Sequence, residues 1–216
     1  MENTHRSRRL MSNIIPGNLL TTAMAVMPHT DIERALKMAL SLDVPFWPQL
    51  PNYSYYEDMY VQASEHFPGI ILDMGKRTLR FSVDKFAEEL ENALLHFDDP
   101  TYLDVLSLDV YTNWEIFSSY TLSIRKFLDR GGFIIWGIVP TGFEAFAQEE
   151  IPTLVQRLEN IWKILWSKGI DREQLIARSM LSPATCCLVN PDKERTVERA
   201  FAAVNLMAEV LKEEYL

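Results

Sequence analysis

Short apolar runs alternate with longer amphipathic ones along most of this chain, and that alternation restricts the fold more than any other feature. Runs of four to seven apolar residues are too short for helices, while the stretches between them carry the 3.6-residue spacing of helices with one buried face. Repeated strand–helix units of this kind build a parallel sheet. Strands are expected at residues 21–26, 44–47, 103–109, 133–139 and 181–187, giving about five parallel core strands. The run 133–139 is apolar without interruption, as a strand covered on both faces must be.

Helices are expected between these strands. Thr30 and Glu33 form a capping box that opens a helix over 31–42. Ser54 and Glu57 open another through 66, and Asp84 a third to about 97. A single helix is predicted over 114–129, stopping at Gly131-Gly132, and others over 151–168, 171–180 and from about 192 to 216. Residues 70–73 and 78–83 flank Met74-Gly75-Lys76-Arg77 and read as a β-hairpin decorating the parallel core. Residues 1–18 are expected to be a flexible basic tail, with 19–216 forming one domain. Ser7-Arg8-Arg9 resembles an export signal, but Pro16-Gly17-Asn18 splits the following apolar run and Met27-Pro28-His29 offers no small-residue cleavage site.

A formal charge of −9 argues against general affinity for nucleic acid or anionic lipid. No apolar stretch approaches the roughly 20 residues needed to cross a bilayer, so a membrane partner is not expected. Cys186 and Cys187 are the only cysteines, and neighbours in sequence cannot staple distant parts of a fold. A cytoplasmic location follows as the expectation.

Parallel α/β folds place their chemistry in loops after the strands. Four segments fit: Met27-Pro28-His29-Thr30-Asp31, Phe46-Trp47-Pro48-Gln49-Leu50-Pro51, Trp136-Gly137-Ile138-Val139-Pro140-Thr141 and Ser182-Pro183-Ala184-Thr185-Cys186-Cys187-Leu188. His29 reads either as a substrate contact beside the free N–H groups of a helix start or as a satisfied polar group there. Trp47 and Trp136 read as pocket walls or as packing, and Asp109 as a pocket residue, with Tyr111 beside it, or as the start of a turn. Glu144, Glu149 and Glu150 read as a solvated loop and helix start. Cys186, with Cys187 as the alternative, is a candidate thiolate metal ligand; the other reading makes both small buried hydrophobes.

On these four segments the chain resembles the cobalamin-independent methionine synthase family, in particular short forms similar to its catalytic C-terminal barrel, within the group that includes uroporphyrinogen decarboxylase. Phe-Trp-Pro-Gln-Leu-Pro and Trp-Gly-Ile-Val-Pro-Thr match family segments almost letter for letter, and Ser-Pro-Ala-Thr-Cys-Cys-Leu is similar to a Ser/Thr-Pro-x-Cys-Gly-Leu zinc-ligand motif. The resemblance covers about 19–73 and 102–216, and implies an incomplete (β/α)₈ TIM-like barrel from which three central strands are left out.

It also implies zinc-dependent methyl transfer to homocysteine or a similar small thiol, from a folate or a corrinoid protein. His29, Thr30, Trp47, Asp109 and Trp136 would contact substrate and Cys186 the metal. The family's His-x-Cys pair is missing, since no cysteine lies outside 186 and 187. Two further readings therefore stand beside catalysis. One is a non-catalytic relative that pairs with itself to cover open strand edges; the other is one subunit of a split enzyme.

Overall fold

A computed structural model describes residues 17–46, 48–54, 105–185 and 190–216. The predicted hairpin, the helices expected over 54–66 and 84–97, most of the predicted tail, Trp47, Cys186 and Cys187 lie outside the described residues.

The described chain is α/β, with four parallel strands: β1 (Leu20–Thr21), β2 (Val105–Asp109), β3 (Phe133–Val139) and β4 (Ser179–Pro183). Their spatial order is β1-β4-β3-β2, so the last three strands advance one neighbour at a time and the last lies beside the first. Seven helices occur among the described residues: α1 (Ile32–Ala39), α2 (Val110–Ser119), α3 (Thr121–Asp129), α4 (Phe143–Ala147), α5 (Ile151–Ser167), α6 (Arg172–Ala177) and α7 (Arg195–Tyr215).

Four strands rather than five is a correction with a local cause. The predicted strand at 44–47 does run parallel beside 21–26: Val44 N donates to Thr21 O, Gln49 N to Ala25 O and Met27 N to Gln49 O. Yet only the Val26–Gln49 bridge forms there. Pro45 and Pro48 carry no N–H, so a continuous ladder cannot be completed. The first strand is Leu20–Thr21, shorter than the 21–26 expected.

β3 holds the centre. All seven of its residues are buried, as its unbroken apolar sequence requires. Pairing sets Leu106 opposite Ile134 and Leu108 opposite Trp136, while Trp136 in turn faces Leu181. These side chains therefore share one face, and that face meets the core helices through Phe117 of α2, Phe127 of α3, Leu158 and Trp162 of α5, Leu175 of α6 and Val204 of α7. Phe133, Ile135 and Met180 on the opposite face are buried but belong to none of the described helix-packed clusters. Gly137 is required here: a Cβ would stand 2.5 Å from Leu108 O and 3.0 Å from Ala184 Cα.

Several boundaries moved for identifiable reasons. Asp31, not Thr30, caps α1, its carboxylate accepting from Arg34 N. The helix stops early because Ser41 Oγ bonds Met38 O. The single helix expected over 114–129 is two, broken at Tyr120 (φ −92°, ψ 29°). Ser118, Ser119 and Thr121 each turn a hydroxyl back onto an earlier carbonyl there, and such bonds compete with the helical ladder. β4 begins at Ser179, two residues ahead of expectation, because α6 ends at Ala177 and Ser179 Oγ bonds Leu175 O. Gly17 and Asn18, placed in the predicted tail, lie against that helix end, with Asn18 N donating to Ala177 O. α4 forms where Glu144 was expected in a solvated loop.

α7 ties the pieces together. Its buried stripe, including Val197, Ala200, Phe201, Val204, Met207 and Leu211, packs across β1, β3 and β4 and against α5. Two smaller apolar clusters seat the segment after β1: Ala23 and Leu42 on Val197 and Phe201, and Met27 with Ala35 and Leu50.

Candidate functional site

Parallel pairing brings the chain out of all four strands at one edge, and the predicted loops emerge there. β1 and β4 are direct neighbours, so the His29 turn and the Ser182-Pro183-Ala184-Thr185 segment share a flank of that edge. Asp109, at the end of β2, lies on the opposite flank of the four-stranded sheet.

His29 is fully buried. Extended backbone carries the chain through Val26 to Pro28, whose carbonyl accepts from Asn52 Nδ2, and α1 starts three residues after His29. The imidazole Nε2 lies 3.4 Å from Glu198 Oε1 on α7, and Nδ1 is buried without a partner among the described residues. Glu198 is held by a guanidinium fork: Arg34 Nε reaches Oε1 at 2.6 Å and a terminal nitrogen reaches Oε2 at 2.9 Å. Glu194 adds a longer contact to Arg34 at 3.7 Å. Burial holds the His29 pKa below its ordinary value, outweighing the opposing pull of Glu198 and Glu194. The ring is therefore neutral at pH 7. Thr30 next to it is exposed.

The other expected site residues fall into different surroundings. Asp109 is the N-cap of α2, its carboxylate accepting from Thr112 N at 3.0 Å, as the turn-forming reading of this residue requires. Trp136 is a core residue on the helix face: edge-on to Phe117 at 5.4 Å and to Trp162 at 6.1 Å, it donates its indole N–H to Ser179 Oγ at 2.7 Å. Of the two readings its sequence allowed, packing describes its surroundings. The structure thus brings none of Asp109, Trp136 and His29 into one cluster.

Between β3 and β4 the loops are zipped together. Ala184 N donates to Val139 O, Thr141 Oγ1 to Thr185 O at 2.9 Å, and the buried Asn190 bridges Thr141 O and Phe143 N. This network fixes the two ends of the segment that contains Cys186 and Cys187. A groove of about 380 Å³ lies between the start of α5 and α7, lined by Phe146, Glu149, Ile151, Leu154, Arg199 and Leu206, and none of His29, Thr30, Asp109 and Trp136 lines it.

Glu149, expected to be solvated, instead has a largely enclosed side chain: it accepts from Tyr111 OH at 2.9 Å and from Arg157 at 2.7 Å, while the guanidinium stacks on the Tyr111 ring. Burial and the adjacent carboxylate push the Tyr111 phenol up. Sequence reasoning also missed Glu198, Glu194 and Arg34. Glu194 and Glu198 are four apart on one helix, which is visible in sequence, but their partner lies 164 residues from Glu198 in the chain.

Zinc chemistry needs three protein ligands and an open position. Among the described residues no group of three His, Cys, Asp or Glu side chains is placed to hold a metal. His29 Nδ1 has no partner among the described residues, but both oxygens of its nearest carboxylate are engaged by Arg34. The described side chains do not fit the group. No described helix is long and apolar enough to cross a membrane.

No protein-family model, curated protein or solved structure matches this chain.

Proposed function

We propose that this chain is an incomplete (β/α)₈-type barrel related to cobalamin-independent methionine synthase, and that its strand-end edge binds a small thiol such as homocysteine for methyl transfer. The observation that supports it most is the strand order β1-β4-β3-β2. A doubly wound sheet reverses direction at a switch point and carries helices on both faces. Here β2, β3 and β4 advance one place at a time and β4 lies beside β1, the order expected of a barrel from which strands between β1 and β2 are left out. The segment 43–49 flanks β1 on its other side, and among the described residues the helix-packed core lies on one face. The His29 turn, which carries the family resemblance, rests on α7, the helix that follows the Cys186 segment.

A metal centre on this chain would draw on Cys186, and its further ligands would have to come from residues outside the described set or from a partner. A second reading, a subunit completed by itself or by another chain, is favoured by the same shortage of ligands and by β2, which ends the described sheet with Ser107 exposed.

The deciding experiment measures homocysteine binding by calorimetry and bound zinc by elemental analysis, in the wild type and in Cys186→Ser. Homocysteine binding with zinc that Cys186→Ser loses supports the catalytic reading. Binding without stoichiometric zinc supports the partner-completed one. No thiol binding under either condition overturns both.

A further inference from the structure

The contact between buried His29 and half-buried Glu198 has a feature that packing does not explain. Glu198 is clamped by the Arg34 fork at 2.6 and 2.9 Å, so it is a carboxylate and only accepts hydrogen bonds. The ring proton facing it therefore sits on Nε2, and the neutral ring presents at Nδ1 a lone pair with no partner among the described residues. An unpartnered acceptor enclosed in protein costs stability, and the same turn could have carried an apolar residue of similar size at no such cost.

We propose that Glu198 fixes His29 in the Nε2–H form so that Nδ1 receives the S–H proton of the bound thiol. This deepens the function proposed above and rests on it. His29 becomes the catalytic base of the strand-end site; Glu198 and Arg34 are positioning residues. In the transfer the S–H bond breaks, its electron pair stays on sulfur, and the proton bonds to Nδ1. The resulting imidazolium faces Glu198 and Glu194 from α7, with Arg34 from α1 as the opposing charge. The thiolate is then the nucleophile toward the methyl donor. The same logic, a base oriented by a carboxylate behind it, underlies nucleophile activation on unrelated folds. Because the ring is fully buried, the proposal requires the turn that carries exposed Thr30 to move aside for the thiol.

The test uses the full chain labelled with ¹⁵N at histidine. The ring nitrogens of His29 should report Nε2–H and an unprotonated Nδ1 at neutral pH, and homocysteine should shift Nδ1 while methionine, which has no S–H, should not. Homocysteine should bind about tenfold or more tightly than methionine, the size expected when a buried acceptor is left unpaired. His29→Gln keeps a donor toward Glu198 but has nothing at the Nδ1 position, and should erase that preference without unfolding the chain by circular dichroism. Glu198→Ala should mix the two tautomers, and Glu198→Asp should restore the Nε2–H form in part. An Nδ1–H tautomer in the wild type, or an undiminished thiol preference in His29→Gln, overturns the proposal even where homocysteine binds. Failure of every thiol to bind, with the Nε2–H form intact, instead removes the substrate reading and with it the assigned role of Nδ1.

Discussion

Trp136 beneath the sheet and His29 beside α7 are equally buried, yet they are buried on different terms. Around Trp136 the neighbours are Phe117, Trp162 and Leu181, and its one polar atom is satisfied by a hydroxyl 2.7 Å away, itself bonded to Leu175 O. Around His29 the neighbours are charged, its one hydrogen bond is long at 3.4 Å, and one ring nitrogen has no partner among the described residues. The first kind of burial adds apolar contact at little polar cost. The second leaves a polar group desolvated, which opposes folding. The core under β3 is thus where the fold draws most of its stability, although it too holds an indole N–H, at Trp162, with no partner among the described residues, while the corner at α7 sets a desolvated imidazole among charged groups.

The sharpest way to break this contrast is Trp136→Ala. It should cost about 3–5 kcal/mol in chemical denaturation, because it empties the contact between α2, α5 and β3 and strands the Ser179 hydroxyl's acceptor role. A loss under about 1 kcal/mol would mean that the helix face is loosely packed and the comparison fails. Next in size is Gly137→Ala. The new Cβ would meet backbone atoms of Leu108 and Ala184, which cannot turn aside as a side chain can, so a loss of about 1–3 kcal/mol is expected from thermal unfolding.

These two positions also mark what the sequence made legible. β3 was readable to the residue, because seven apolar residues in a row allow only a strand covered on both faces. α5 was readable too, its buried Leu154, Leu158, Ile161 and Leu165 recurring at helical spacing. The strand at 44–47 misled: its apolar character was right, but pairing depends on N–H groups that two prolines withhold. The break at Tyr120 depends on three hydroxyls choosing local carbonyls, which periodicity does not register. At the site, the Pro28-His29-Thr30 turn could be singled out from residue types and spacing. Its partners could not, since Glu198 becomes a neighbour of His29 only after 169 residues of chain have folded back. Glu149 misled in the opposite way: Glu144, Glu149 and Glu150 look solvated until Tyr111 and Arg157 are brought to one of them.

A subtler probe of the contrast is pH. Burial keeps His29 less basic in the folded chain than in the unfolded one, where it takes a proton near its ordinary value of 6.5. Below that value the unfolded state binds a proton that the folded state resists, so stability should fall as pH drops from about 6.5 and level off above it. His29→Gln should flatten this part of the profile in denaturation midpoints collected across pH, whereas Trp136→Phe should shift the whole profile without changing its slope. A wild-type curve that rises on acidification through this window would show His29 gaining more from Glu198 and Glu194 than it loses by burial.

The smallest effect belongs to the ion pair at the far end of α7, where Lys212 reaches Asp43 at 3.0 Å. Partial burial alone would raise the Asp43 pKa, but the Thr21 N–H and hydroxyl, together with Lys212, outweigh it and hold the carboxyl below its ordinary 3.8. A depressed carboxyl stabilises the fold above the unfolded value and loses that contribution as pH falls through the folded one, so this link acts below the window in which His29 titrates. Both side chains are partly in water, and Lys212→Ala should therefore cost under about 1 kcal/mol, shrinking further as salt is added. Asp43→Ala should cost more than Lys212→Ala, because it also removes the side-chain acceptor for Thr21 N and the Thr21 hydroxyl at the end of β1. Equal losses from the two substitutions would mean that the carboxylate serves the lysine rather than the strand, and would place this corner with His29 among the charged contacts instead of with the sheet.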